Sequence, residues 1–475
     1  MLFSSSVFLF LFLPIVLLGY YGVCTWLGPL RRPAQNLLLL AASLFFYAWG
    51  EPWFVLVMIA SILANYLFGL WVGLWRTRGR STRLPAGLAV AANLGLFFVF
   101  KYLAFVLTEA NRLGLGLTVP IIDLPIGISF FTFQAMSYVL DVGRGRGKVQ
   151  RNPLKVALYI SFFPQLIAGP IVKYETVAED IDCRRESWED FSSGVCRFLT
   201  GLGKKVFLSN QLAVLVDFVY GLPAAGLSAG LAWLSSLCYI LQLYFDFSGY
   251  SDMAIGLGRM FGFHFLENFN YPFISRSITE FWRRWHISLS TWFLDYVYVP
   301  LGGSRVSAKW KHVRNLFIVW LLTGLWHGAN WTFLFWGLYS FSLLALEKFG
   351  GFGTRWPGWC RWLYTLIAFD IGCVFFRADS LGAAFLHLKA MFFPAAGWWD
   401  SYTLFFLTEY RFLLLAAALC ATPIARWLSA RLASAGRGGA LVRDTLYPLA
   451  VLTLYVVCAA FIVKGTYNPF IYFNF

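Results

Sequence analysis

Long apolar runs recur from one end of this chain to the other, separated by short polar segments. About 20 consecutive apolar residues is the length at which a helix crosses a bilayer. The clearest runs cover residues 5–27, 36–50, 53–75, 85–108, 120–141, 154–172, 227–247, 314–328, 331–347, 360–376, 403–420 and 446–464. They predict an all-α, polytopic membrane protein with about eleven transmembrane helices. Two runs are short or interrupted: 36–50 holds only 15 residues, and 120–141 contains Asp123, Pro125 and Gly127. Segments of that kind are candidates for re-entrant stretches that line a cavity rather than face lipid. No polar stretch is large enough to fold separately, so residues 1–475 read as one integral membrane domain. The first run, MLFSSSVFLFLFLPIVLLGYYG, has no basic n-region and no small-x-small cleavage site, so it reads as a span.

Three polar segments break the pattern. Residues 183–221 mix charge with apolar residues at helical spacing, as an interfacial helix leading into a buried one does. Residues 243–263 place Asp246, Ser248, Tyr250 and Asp252 directly after a span. The glycines there miss the dinucleotide spacing and lack a βαβ context. In 267–305, Ile278, Phe281, Trp282, Trp285, Leu289 and Trp292 fall at i, i+3, i+4, i+7 spacing. That stripe predicts one amphipathic helix near 276–298, with Glu280, Arg283 and Arg284 off the stripe and His286 on it. Lying in the interface, such a helix points the imidazole of His286 towards the protein or membrane interior.

Composition agrees with the membrane reading: 59% of residues are hydrophobic and 13% charged, against about 25% charged in soluble domains. The net charge of +15, from 38 basic and 23 acidic residues, follows from the positive-inside rule and from contact with anionic membrane lipids, not from nucleic-acid binding. Basic clusters at Arg31–Arg32, 76–83 and 144–155 fall on one side if the N-terminus lies outside, and the acidic turn at Glu51–Pro52 then falls on the other. The eight cysteines form no CxxC pair, so neither a zinc site nor a disulfide framework is expected.

Candidate chemistry concentrates in two of the five histidines. His327 stands within an apolar run, LLTGLWHGANWTFLFWGLY, where an ionisable group is expensive and by default functional. The alternative is a structural histidine bonded to a neighbouring helix. Thr323, His327 and Asn330 share one helix face, which gives the imidazole hydrogen-bonding company. Gly324 and Gly328 allow another backbone to pack closely, and Gly328 leaves room for a substrate beside the imidazole. For His286 a site role and an interfacial role both stay open. A neutral imidazole can take the proton of a hydroxyl as that hydroxyl attacks an activated acyl carbon, with no metal and no bound cofactor.

FWRRWHISLSTWFLDYVYVPLGG, followed by GLWHGANWTFLFWG with its histidine 41 residues after His286, resembles the membrane-bound O-acyltransferase family. Within that family the likeness is greatest to the branch that O-acetylates polysaccharides such as alginate. It extends over LPIGISFFTFQAMSYVLDV, FFPQLIAGPIVKY, LYFDFSGYSDMAIGLG, VFFRADS and the terminal NPFIYFNF. Residues 47–66 look like family members in general, which leaves the polymer open. The resemblance implies that His327 is the catalytic histidine and His286 the second active-site histidine. It implies a helical cone around a channel, thin at its centre, where a cytoplasmic thioester such as acetyl-CoA meets an acceptor from the other face. It also implies a bacterial inner-membrane location, with a periplasmic or membrane-anchored Ser-type acetyltransferase and the polysaccharide export machinery as partners. On this reading Trp326 and Asn330 orient His327, Thr323 supports it, Arg283 or Arg284 meets the donor's phosphates, and Asp246 is a buried structural or site group. Two other functions are weighed against it. One is D-alanyl transfer from a carrier protein to teichoic acid; the other, not enzymatic, is proton-coupled polysaccharide export.

Overall fold

A computed structural model describes residues 1–465 and 471, and every regular element among them is helical. The terminal NPFIYFNF lies outside the described residues except for Ile471. The chain forms two compact units, Met1–Phe198 with Ser251–Leu266, and Leu199–Tyr250 with Glu267–Phe475.

The first unit opens on irregular helical turns from Phe8 to Leu30, which break at Gly28 (φ 50°) before α1 (Arg31–Ala48). The spans expected at 5–27 and 36–50 are therefore one apolar run of 41 residues with a kink. Glycine accommodates that kink because it alone adopts positive φ without steric cost. Three long helices follow: α2 (Phe54–Thr77), α3 (Arg83–Lys101) and α4 (Ile128–Arg144). Asn65 and Asn93 are buried on α2 and α3, and their amides exchange reciprocal hydrogen bonds of 3.0 and 2.8 Å. That pairing satisfies polar groups that lipid cannot. On α2, Gly69 lets the Tyr138 ring of α4 approach so closely that a Cβ would sit 2.4 Å from it. The run at 154–172 does not form one span: α5 (Pro153–Ser161) stops where Phe162 turns extended ahead of Pro164.

The second unit carries α6 (Asn210–Tyr220), α7 (Ala229–Met260, its residues up to Tyr250), α8 (Ile278–Arg284) and α9 (Ile287–Phe293). After these come α10 (Lys309–His327), α11 (Trp331–Gly350), α12 (Gly358–Arg377) and α13 (Leu381–Phe392). The close approach expected from small residues occurs at Gly324 of α10 and Gly337 of α11. A Cβ on Gly324 would lie 2.6 Å from the Phe333 carbonyl oxygen, and one on Gly337 2.6 Å from that of Trp320. The polar stretch from residue 243 does not follow a helix but continues one, as the second half of α7 up to Met260.

Among the described residues, five helices are long and apolar enough to cross a membrane, or six if one bent pair counts as a span. That pair, Ser401–Glu409 and Arg411–Cys420, occupies the expected 403–420 span and bends by 63°.

Candidate active site

The single amphipathic helix expected over 276–298 is two helices and a break. Ser277 caps α8 by accepting from the Glu280 amide, and the Glu347 carboxylate of α11 takes the amides of Ile278 and Thr279 at 2.7 and 2.9 Å. A carboxylate at the first turn also complements the helix dipole. The helix ends at Arg284 because Asn270 and Asn268 pair with the chain there: the Asn270 amide donates to the Arg284 carbonyl (2.9 Å) and the Ile287 amide to that of Asn268 (3.0 Å). Those bonds force His286 into the left-handed region, at φ 45° and ψ 54°. A non-glycine residue there carries strain of roughly 1–3 kcal/mol, which surrounding contacts must offset. So His286 is not on a helical stripe. It is the residue of the break itself, only 3% exposed.

Its environment fixes its tautomer. Asn268 Oδ1 accepts from the Ser288 amide (3.2 Å) and hydroxyl (2.9 Å) and faces His286 Nδ1 at 3.3 Å. A backbone N–H only donates, so that side-chain atom is the oxygen, and His286 Nδ1 must carry the proton. The other ring nitrogen, Nε2, then bears a lone pair, and it has no hydrogen-bond partner among the described residues.

His327 is the last residue of α10, about 27 Å along the axis from Lys309 at about 1.5 Å per residue. Gly328 is extended and breaks the helix, and Asn330 starts α11 by accepting from the Thr332 amide at 3.2 Å. Asn330 therefore does not share a helix face with His327 and Thr323, as expected from a continuous helix. It is an N-cap, the role for which Asn is strongly preferred. Its amide nitrogen donates to the Asp379 carbonyl at 3.0 Å. Nor does Gly328 leave space for substrate, since a Cβ there would lie 2.2 Å from the Phe333 ring.

Both histidines line one cavity of about 490 Å³, a size typical of sites for small ligands. Trp326 packs against both rings, 5.9 Å from that of His286 and 5.0 Å from that of His327, centroid to centroid. Trp336 and Phe376 each lie 5.1 Å from the His327 ring. Thr323 and Arg283 also line the cavity, and the Thr323 hydroxyl bonds the Val319 carbonyl at 2.8 Å. Arg284 does not line it; it pairs with Glu280 at 2.9 Å. Asp246 is likewise absent from the lining. It is ion-paired with Lys205, both side chains being buried, and accepts from the Ile471 amide at 2.9 Å.

Sequence reading missed Asn268, Ser288 and Trp282. Trp282 lines the cavity, and its buried Nε1 has no hydrogen-bond partner among the described residues. It was read only as part of the apolar stripe, although its indole N–H is a polar group that needs a partner when buried. No sequence signal marks Asn268, because its role arises from the return of the chain past the α8–α9 break. No group of three or more potential metal ligands occurs among the described residues.

The geometry is that of a largely apolar cavity lined by two imidazoles. The model of the membrane-bound O-acyltransferase family matches residues 148–377, a stretch containing both histidines. The protein named probable alginate O-acetylase AlgI in Azotobacter vinelandii is 44% identical over 401 residues, covering 82% of this chain and 78% of that one. A peptidoglycan O-acetyltransferase of Helicobacter pylori is 37% identical over 425 residues, covering 82% and 80%. A teichoic acid D-alanyltransferase of Bacillus subtilis is 32% identical over 251 residues, half of this chain and 62% of that protein. This chain, with its all-helical membrane architecture, belongs to the membrane-bound O-acyltransferase family and is an O-acyltransferase.

Proposed function

We propose that the protein takes an acetyl group from a cytoplasmic thioester, acetyl-CoA being the reference donor, and moves it across the bacterial inner membrane for O-acetylation of a polysaccharide such as alginate. The observation that carries this is the sharing of one cavity by His286, His327 and Arg283. The more extensive likeness to the two O-acetyl-transferring relatives favours acetyl over D-alanyl transfer. The α10–α11–α12 bundle supports a two-sided reading. One end carries Lys309, Lys311, Arg314 and Lys348, as a cytoplasmic face does. His327 lies at the other.

In the reaction, a hydroxyl oxygen of the acceptor attacks the thioester carbonyl carbon. A C–O bond forms, the C–S bond breaks, and the hydroxyl proton passes to His327 and from there to the departing thiolate. His286 orients an N–H or O–H of the bound donor through the Nε2 lone pair. On this reading Trp282 Nε1–H donates to the acyl oxygen, and Arg283 meets the donor's phosphates. No metal or bound cofactor enters any step. The immediate acceptor is a Ser-type acetyltransferase on the outer face, which then modifies the polymer.

Purified protein with acetyl-CoA is therefore expected to leave free alginate almost unmodified until a Ser-type partner is added. Full acetylation without a partner overturns the division of labour.

The orientation has its own test. With the N-terminus outside, Arg80→Cys in a cysteine-free background is expected to resist an impermeant thiol reagent in intact cells and to react after lysis. The background matters because Cys183 and Cys420 are exposed. Labelling in intact cells inverts the orientation.

A further inference from the structure

No residue of the first unit lines the cavity of the two histidines, yet that unit has a groove of its own, of about 510 Å³. Leu27 and Leu30, just ahead of α1, and Leu37 on it form one apolar wall, and Leu154 in the first turn of α5 belongs to the other. All four leucines are exposed, and Trp26 beside them is 88% exposed. Exposed leucines on a membrane protein suit acyl chains, and an interfacial Trp marks the level of the headgroups. The polar end of the groove holds Arg32, Lys155 and Asp182. Lys155 and Asp182 pair at 2.7 Å, and both stay accessible, at 28% and 43% of the side-chain surface. Arg32 shares its partner: Glu186 lies 2.6 Å from Arg32, 3.5 Å from Arg31 and 3.8 Å from Arg184. Asp180 is within electrostatic range of Arg184, and with it counted three guanidiniums still face only two carboxylates. The groove therefore joins an open apolar trough to a surplus of positive charge.

We propose that this groove binds one anionic phospholipid, with an acyl chain along the leucines and the phosphate at Arg32 and Lys155. The proposal goes beyond acyl transfer and does not depend on it. A soluble anion answers the charge but leaves the leucines uncovered. A zwitterionic lipid covers the leucines but brings no net charge to the surplus. Phosphatidylglycerol does both, and its headgroup hydroxyls can donate to the Asp182 carboxylate. That carboxylate also competes with the phosphate for Lys155, so the site is weaker than it would be with a neutral side chain at 182. The long stems of Arg32 and Lys155 allow their charges to reach the headgroup level while the stems lie against the apolar wall.

The test uses the full-length protein, delipidated in detergent and mixed with equal amounts of dioleoyl phosphatidylglycerol and dioleoyl phosphatidylethanolamine, with bound lipid read by native mass spectrometry. One phosphatidylglycerol per chain is expected, retained about 5-fold or more over phosphatidylethanolamine, the worth of one basic residue beside an anionic headgroup. Asp182→Asn is expected to raise that retention by about 5-fold, because it releases Lys155 to the phosphate, and Lys155→Gln to lower it by about as much. Ala34→Trp fills the groove without touching a charge and should also lower it, whereas Arg80→Gln, outside the lining, should leave it unchanged. A purely structural Lys155–Asp182 pair predicts the opposite for Asp182→Asn, unchanged or lower retention with lower thermal stability, and that result overturns the proposal. Equal retention of the two lipids by the wild-type protein overturns it, as does undiminished retention by a folded Ala34→Trp protein. A loss with Arg80→Gln equal to that with Lys155→Gln overturns it as well, since the lipid is then drawn to basic surface in general rather than to this groove.

Discussion

His327→Ala is expected to reduce acyl transfer by about 10²–10⁴-fold, the usual contribution of a positioned general base, or roughly 3–5 kcal/mol of barrier. The protein should still fold and insert. His327 ends α10 rather than sitting mid-helix, and the helix start that follows is fixed by the Asn330 cap, not by the imidazole. Truncation does leave space among Trp326, Trp336 and Phe376, whose rings stand 5.0–5.1 Å from the imidazole, so some loss of stability is expected. His327→Gln separates packing from chemistry. Glutamine refills much of that space and keeps hydrogen-bonding capacity, yet it cannot take up a proton near neutral pH. Product acetylation at matched membrane expression should be as low for Gln as for Ala. Recovery of near-wild-type transfer by Gln would make the imidazole a packing group and remove the general base from the reaction.

How legible this site was depends on which forces set each part. The helices around it show in the sequence as apolar runs: those at 314–328, 331–347 and 360–376 mark α10, α11 and α12 to within about five residues, although of the three only α12 is long and apolar enough to cross a membrane by itself. Helix breaks are harder to see. Between Arg284 and Ile287 no proline or glycine stands, and the apolar stripe continues through the break with helical spacing. What stops α8 is the pairing of residues 268–270 with 284–287, a long-range contact that local periodicity does not register. The Gly328–Asn330 break did carry a local signal, a glycine followed by a favoured N-cap residue. It was read instead as room for substrate. For Asp246 the sequence left a structural and a site role open, because a carboxylate beside an apolar run does not reveal its partner. That partner is Lys205, 41 residues earlier.

His286→Gly is the second variant expected to have a large effect, and the left-handed backbone at φ 45° is what makes it informative. At an ordinary position, glycine loosens the chain and confuses lost chemistry with lost structure. Here glycine suits the native conformation better than histidine does, and the two backbone bonds that hold the break involve Asn268, Asn270, Arg284 and Ile287, not residue 286. Stability should be unchanged within about 1 kcal/mol, since the relieved strain offsets the lost packing against Phe247, whose ring lies 4.5 Å away. Transfer should nevertheless fall by about 10²-fold. Because Nε2 is assigned to orienting the donor, the loss should include a raised KM for acetyl-CoA. Asn268 acts one step back, by holding the proton on Nδ1. Asn268→Ala should lower transfer less than His286→Gly, while Asn268→Asp, which keeps oxygens for Ser288 and for the imidazole, should restore most of it. The ranking is measured by initial rates at several acetyl-CoA concentrations, alongside thermal unfolding in detergent. Wild-type rates from a stably folded His286→Gly would show that the strained histidine serves only the shape of the α8–α9 break. Equal losses in both Asn268 variants would take the tautomer out of the account and leave Asn268 as a backbone clamp.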